Sequence, residues 1–318
     1  MRISDMKKFF VKALLFLALM VAGDFVLGSV FDMWFSKMTD GSVGRNNYIC
    51  NSMTEDILVF GSSRARHHYD TKILSDSLGM SCYNLGQDGC GILLSYGRLM
   101  MVMKNHKPKV VICDISGYDI EKSDNIVQIH ALKPYYSKAP ELSTLFHDVD
   151  STEPIKMMSR LYRYNTDYVH NPKALFKSAS KVKYKPDKLF GYKPIKEEFD
   201  LMKIRKSRED GPVPEWDVDS LKITYLQRFV DCLGDDVVTV FVASPFWYGR
   251  KQYDVSLIED FCKKNNIAFA DFQSDTLFVH NDSLFVDGTH LNAHGAEIFT
   301  NKVVDLVKSQ IESRKLTK

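Results

Sequence analysis

Short apolar runs alternate along the chain with longer segments whose apolar positions recur at helical spacing. Asp56–Phe60 (DILVF), Ser81–Leu85 (SCYNL), Val110–Ile115 (VVICDI), Val237–Ala243 (VVTVFVA) and Ile267–Asp271 (IAFAD) have the length and β-branched or aromatic content of buried strands. Between and after them, Thr71–Leu78, Gly91–Asn105, Asp219–Leu233, Val255–Asn265 and Asn292–Ile311 read as helices. In Gly91–Asn105 the residues Ile92, Leu93, Tyr96, Leu99, Met100 and Met103 mark one face. Strands alternating with helices predict an α/β fold with a mainly parallel five-stranded sheet and right-handed crossovers.

The alternation breaks between Glu121 and Pro214. This segment, about 121–214, holds no strong strand and is expected to be a helical insertion or lid, with Pro154–Tyr164 (PIKMMSRLYRY) as one helix. Within it Lys173–Lys188 carries six lysines and one acid, Asp187. That basic stretch reads as a solvated helix and loop, or as a surface for anionic lipid or an acidic polymer.

The N-terminus has a different pattern. Arg2, Lys7, Lys8 and Lys12 precede the apolar run Ala13–Val30, which carries one charge, Asp24. A helix of that length reaches about 27 Å, close to a hydrocarbon core of about 30 Å. Phe25, Phe31, Trp34 and Phe35 extend its far end. The run reads as an uncleaved anchor, since no clean small-x-small cleavage site follows it; a signal peptide is the rival. The basic flank places residues 1–35 as a cytoplasmic tip and transmembrane helix, with the rest of the chain outside the cytoplasm. Asp24 is expected near the outer interface, with a partner helix as the alternative. Ser36–Thr54, with Gly41, Gly44, Asn46, Asn47 and Asn51, reads as a linker. The folded domain then spans 55–318.

Composition adds exclusions. The 318 residues are 45% hydrophobic and 26% charged with net charge +2, so no global basic excess points to nucleic acid. Cys50, Cys82, Cys90, Cys113, Cys232 and Cys262 form no CxxC pair and no metal-like pattern with histidine, and are expected as free, mostly buried thiols. No GxGxxG or P-loop is present, which leaves a nucleotide-binding module a weak third reading.

Two stretches carry chemistry. The first strand runs into Gly61-Ser62-Ser63, which presents a hydroxyl at the carboxyl edge of the sheet, where open α/β sheets hold ligands. Just before the last helix stand Asp287 and His290, three apart in a glycine-containing loop, a spacing that lets a carboxylate reach the imidazole. In a parallel sheet both stretches lie at one edge, so Ser63, His290 and Asp287 converge as nucleophile, base and orienter. His67, His68 and His294 compete for the base role. Arg64 is a candidate for binding a carboxylate or acidic sugar, against an ion pair with Asp88 or Asp114. Tyr83, Tyr118, Phe246 and Trp247, near strand ends, are candidates for a sugar platform or for core packing.

At these residues the chain resembles the SGNH (GDSL-type) hydrolase superfamily. Gly61-Ser62-Ser63 is similar to its first block, with Ser62 where aspartate is usual; Asn84-Leu85-Gly86-Gln87-Asp88-Gly89 is similar to the second; and Asp287-x-x-His290 to the last. The similarity covers about 56–120 and 217–312 and implies a three-layer α/β/α, flavodoxin-like fold. It implies Ser63 as nucleophile, the N–H groups of Ser63 and Gly89 as oxyanion donors, and Asn84 beside Arg64 at the substrate. The third block departs: alignment of Val110–Asp119 puts Tyr118 where the family's oxyanion asparagine stands. What the resemblance implies is an extracytoplasmic serine esterase or O-acyltransferase, needing no metal or organic cofactor. Its expected partners are the membrane, an acylated cell-envelope glycan or lipid-linked substrate, and envelope-polymer biosynthesis proteins. The alternative is a catalytically silent glycan-binding or assembly factor on the same fold.

Overall fold

A computed structural model describes residues 3–165, 183–197, 217–249 and 255–316. The apolar runs form five parallel strands: β1 (Ile57–Phe60), β2 (Cys82–Asn84), β3 (Val110–Asp114), β4 (Val238–Ala243) and β5 (Ala268–Asp271). Their order is β2-β1-β3-β4-β5, with Val59 beside Ile112, Ile112 beside Val240, and Val240 beside Ala268. This is the flavodoxin-like order, in which successive connections leave β1 in opposite directions and open a crevice between β1 and β3.

Side chains alternate across the sheet, so each strand feeds two apolar layers. Leu58 and Phe60 point into one layer with α5 (Ile92–Met103) and α10 (Ser220–Leu233). Ile57 and Val59 point into the other with α4 (Thr71–Leu78) and α12 (Ala293–Leu316). Buried side chains occur around nearly the whole of α5, because α10, α2 (Gly41–Asn51) and α8 (Pro140–Val149) pack against it. The result is the expected α/β/α arrangement, with α3 (Ser63–His68) leading from β1 toward α4 and α11 (Ser256–Lys264) preceding β5.

The linker expectation over 36–54 is corrected. Its centre is α2, which buries Asn46, Asn47, Tyr48, Ile49 and Cys50. The asparagines that resemble loop chemistry are hydrogen-bonding partners: Asn47 Nδ2 donates to the carbonyls of Phe35 (2.7 Å) and Met38 (2.9 Å) at the exit of α1 (Ile3–Phe35). A helix end leaves carbonyls unpaired, and Asn47 satisfies them.

Asp24 finds its partners in the insertion. It accepts from Ser159 Oγ (2.5 Å), Arg160 N (2.8 Å) and Leu161 N (3.2 Å), and so caps a one-turn 3-10 helix, Leu161–Tyr164. Around it, Arg160 lies over the Phe25 ring, Phe31 stacks on Tyr164, Asp32 accepts from the Tyr164 hydroxyl, and Phe35 is buried. The last third of α1 is therefore part of the domain. The 33-residue helix is about 50 Å long, which exceeds one hydrocarbon thickness. Among the described residues one helix, over Asp5–Phe35, is long and apolar enough to span a membrane, a test that a signal sequence also passes.

The first described part of the insertion, 121–165, contains short helices, among them α7 (Asn125–Ile129), α8 and α9 (Glu153–Lys156), with Leu132, Leu142, Leu145, Phe146 and Met157 buried. The single helix expected over Pro154–Tyr164 ends at Lys156, and a separate 3-10 turn begins at Leu161, where Asp24 accepts from the first N–H groups. Of the basic stretch, 173–182 lies outside the described residues, as does the whole of 198–216. Residues 183–197 run along the β2 edge, held by Asn84 N donating to Phe190 O and Lys193 N to Arg66 O. All six cysteines are free; Cys90 and Cys232 are half-buried and the others buried.

Candidate active site

The site lies at the crevice between β1 and β3. After β1 the chain turns at Gly61, whose φ of +139° suits glycine, and where a Cβ would stand 2.5 Å from the Asp114 carbonyl oxygen. This close approach lets the strand pass directly into α3 and makes Ser63 its first residue.

From the opposite end of the chain, the loop before α12 delivers the other two groups. Asp287 Oδ1 accepts from Thr289 N (2.8 Å) and His290 N (2.8 Å), a local turn that sets its own partner. Val286 N donates to His290 O (2.9 Å), closing the loop behind it. His290 Nδ1 then donates to Asp287 Oδ2 (2.9 Å), and Ser63 Oγ–H faces His290 Nε2 at 2.8 Å. With Nδ1–H committed to the carboxylate, the network assigns the Nε2 lone pair to the serine proton. Burial works to raise the Asp287 pKa, but the hydrogen bond and charge of His290 and the two backbone N–H groups outweigh it. The carboxyl sits well below the usual range and stays ionised.

The competing histidines are placed elsewhere. His67 is bonded to Lys193 O (2.6 Å) and Asp88 (3.1 Å), and His294 is exposed on α12. His68 is fully buried; its Nε2 accepts from Leu291 N (3.0 Å), next to His290. Burial, then the nearby His290 and Arg64, push its pKa well down, so it stays neutral.

Two expected substrate-binding residues are corrected. Asn84 is fully buried: Nδ2 donates to Ala65 O (2.6 Å) and Tyr69 O (3.3 Å), and Oδ1 accepts from Gly86 N (2.9 Å). It ties β2 to α3 instead of facing a ligand. Arg64 borders the cavity but is 4% exposed, and its guanidinium is held by Asp114 (3.2 Å) and Asp119 (2.6 Å) over the Phe246 ring. Asp88 pairs with Arg66 and His67 instead. Of the four aromatic residues weighed as a sugar platform or as core packing, Phe246 borders the cavity but is 1% exposed, packed under Arg64. Trp247 bonds Asp282, and Tyr83 is buried with its hydroxyl on Asp187. Tyr118 falls in the short helix α6 (Gly117–Ile120), and its side chain lies outside the described residues.

Ser63 and His290 open into a cavity of about 610 Å³, continued by Gly89, Cys90 and Gln128. Gly89 adopts φ +69°, and neither its N–H nor that of Ser63 makes a backbone hydrogen bond among the described residues. Sequence reasoning missed Lys222 in the far wall. Its Nζ donates to Glu121 O (2.5 Å) and Ser123 Oγ (2.8 Å). Burial lowers its pKa against the raising effect of Asp219, Asp119 and Glu121. The signal was available: Lys222 occupies the same stripe of α10 as the buried Tyr225, Leu226, Phe229 and Leu233. Asp119 was missed as a partner; it caps α6 through Ser116 N (2.8 Å) while binding Arg64. Among the described residues, no group of three or more His, Cys, Asp or Glu is placed to hold a metal ion.

No protein-family model matches the chain, and no curated protein does. Among solved structures it is similar to a G-D-S-L family protein from Desulfitobacterium hafniense DCB-2, at 10% identity over 79% of this chain and 98% of that one, with TM-score 0.39. It is also similar to a two-domain esterase active on acetylated mannans, at 9% identity, covering 80% of this chain and 48% of that one, with TM-score 0.38. A third is a family two carbohydrate esterase from Clostridium thermocellum in complex with cellohexaose, at 10% identity, covering 81% and 65%, with TM-score 0.33. The functional reading therefore rests on the site's own geometry.

Proposed function

We propose that this chain is a membrane-anchored, SGNH-type serine hydrolase acting on ester bonds, with Ser63 as nucleophile, His290 as base and Asp287 as its orienter. The observation that carries the reading is the continuous relay from Asp287 through His290 to Ser63 Oγ, open to a cavity at the sheet's switch point.

In this mechanism Ser63 Oγ attacks the ester carbonyl carbon while its proton passes to His290 Nε2. Asp287 stabilises the resulting imidazolium without taking the proton. The N–H groups of Ser63 and Gly89 receive the negative charge on the tetrahedral oxygen. Collapse expels the alcohol, which takes the proton from His290, and leaves an acyl-serine. Water, or a sugar hydroxyl, is then deprotonated by His290 and attacks the acyl carbon, releasing acid or a new ester and restoring Ser63.

The substrate we propose is an acylated cell-envelope glycan or lipid-linked molecule outside the cytoplasm. The support is the basic flank Arg2, Lys7, Lys8 and Lys12 before the apolar helix, which favours a cytoplasmic N-terminus. Retention of α1 as an anchor is supported by its packing: cleavage after the apolar run would remove Asp24 and its cap from the domain. Envelope-polymer biosynthesis proteins would be its partners.

The test is hydrolysis of p-nitrophenyl acetate by the full chain in detergent, beside Ser63→Ala and His290→Ala. Turnover that both substitutions abolish supports the reading, and a glycan acceptor added to the active protein separates hydrolysis from transfer. A folded wild type without turnover contradicts it and leaves the silent binding factor.

A further inference from the structure

We infer that the loop carrying Ile155 and Met158 is a second membrane contact, which inserts into the lipid beside α1 and fixes how the domain stands on the bilayer. The inference rests on the reading of α1 as a membrane anchor.

The first observation is exposure. Ile155 and Met158 are 70% and 79% exposed; Ile155 lies on α9 and Met158 in the turn that follows it, where Met158 N donates to Ile155 O (3.1 Å). Scattered exposed apolar residues need no explanation, so the position of this pair has to decide.

The second observation is that position. Asp24 holds Ser159, Arg160 and Leu161, one to three residues beyond Met158. On α1 itself, the exposed apolar side chains are densest from Phe9 through Leu14, Leu19 and Val21 and past Asp24 to Phe25, Val26 and Leu27, with Met6 and Met33 exposed beyond either end. Phe9–Leu27 measures about 28 Å along the helix, matching one hydrocarbon thickness of about 30 Å. The loop is thus bound to α1 at a level where the helix still presents apolar surface outward. Gly28 permits the close approach, since a Cβ there would overlap Arg160.

The third observation is that the loop's charged side chains pair with one another. Buried Glu153 accepts from Lys156 Nζ (2.9 Å) and the Tyr162 hydroxyl (2.7 Å), with Lys133 Nζ at 3.6 Å. Asp150 accepts from Thr152 N (2.8 Å) and Lys156 Nζ (2.9 Å), and Arg163 Nε donates to Met157 O (3.1 Å). A segment enters the acyl boundary readily when its polar groups already have partners, and an intramembrane carboxylate such as Asp24 persists only when paired. The loop and α1 supply each other with these conditions.

The test uses the full chain in phosphatidylcholine vesicles, with an environment-sensitive fluorophore attached in turn at Met158→Cys, Leu14→Cys and Ser309→Cys, in a background carrying Cys90→Ser and Cys232→Ser. Acyl-chain-brominated phosphatidylcholine is the quencher. The proposal expects blue-shifted emission and loss of intensity with brominated lipid at 158 and at 14, and neither at 309. Quenching at 14 without quenching at 158 overturns the proposal and leaves the anchor intact. A blue shift at 158 without quenching marks cover by protein and also overturns it. Quenching at neither 14 nor 158 overturns the anchor reading itself.

Discussion

Replacing Asp287 by asparagine separates the chemistry of the relay from its architecture. Oδ1 accepts from Thr289 N (2.8 Å), His290 N (2.8 Å) and Thr289 Oγ1 (3.0 Å), and an amide oxygen keeps all three, so the loop should fold as before. At Oδ2, however, the amide places an N–H 2.9 Å from His290 Nδ1, where the wild type has an acceptor. Two donors cannot face each other, so the imidazole moves its proton to Nε2 and presents N–H to Ser63. The base then lacks the lone pair that faces Ser63 Oγ at 2.8 Å. A wrong-tautomer relay of this kind lowers kcat by about 10,000-fold, or about 5.4 kcal/mol of transition-state stabilisation. Because Asp287 is held well below the usual carboxylate range, the wild type keeps its orienting carboxylate ionised throughout the working pH range, whereas the amide of the variant does not titrate, so a change of pH does not restore an acceptor at position 287. The assay is steady-state hydrolysis of an activated acetate ester, with circular dichroism and thermal unfolding as the controls for folding. An Asp287→Asn protein that melts like wild type and retains activity within about tenfold would refute the tautomer argument.

Three other substitutions report on the surrounding structure. Asp24→Ala leaves the N–H groups of Arg160 and Leu161 without their acceptor, at about 1–3 kcal/mol each, so the full chain in detergent should melt lower and be cut by protease near Ser159; an unchanged melt would sink the docking of α1. Arg64→Ala strands the buried carboxylates of Asp114 and Asp119 and should cost about 3–5 kcal/mol of stability; a folded variant of normal Tm with only a raised KM would restore the substrate-binding role. His68 is held neutral when folded but takes a proton in the unfolded chain near pH 6.5, so the unfolded state binds more protons below that pH and stability falls as pH falls toward the depressed folded value. His68→Gln removes this contribution, so the drop in Tm from pH 7.5 to 5.5 should be smaller than in wild type; an equal drop would contradict it.

The sheet was legible because buried parallel strands are continuous apolar runs, and ILVF, VVICD and VTVFVA carry that mark directly. The convergence of Ser63 with Asp287 and His290 followed from topology alone, since all strands of a parallel sheet end at one edge. What escaped was set by partners distant in sequence. Asp24 and Arg160 meet across 136 positions, and Arg64 and Asp119 across 55, with no local pattern to announce either pairing. Asn46 and Asn47 resemble linker residues because asparagine favours turns, yet here Asn47 satisfies the end of a helix and Asn46 accepts from the buried Arg98. Asn84 looked like a ligand contact, but its amide is fully used in joining β2 to α3.

The central claim is that Ser63 is a nucleophile activated by His290. The most direct measurement is incubation of the full chain in detergent with a fluorophosphonate, followed by peptide mass mapping. The account predicts one phosphonyl adduct, on Ser63, absent in Ser63→Ala and strongly slowed in His290→Ala. A folded wild-type protein that takes up no phosphonate, or carries it on another residue, would contradict it.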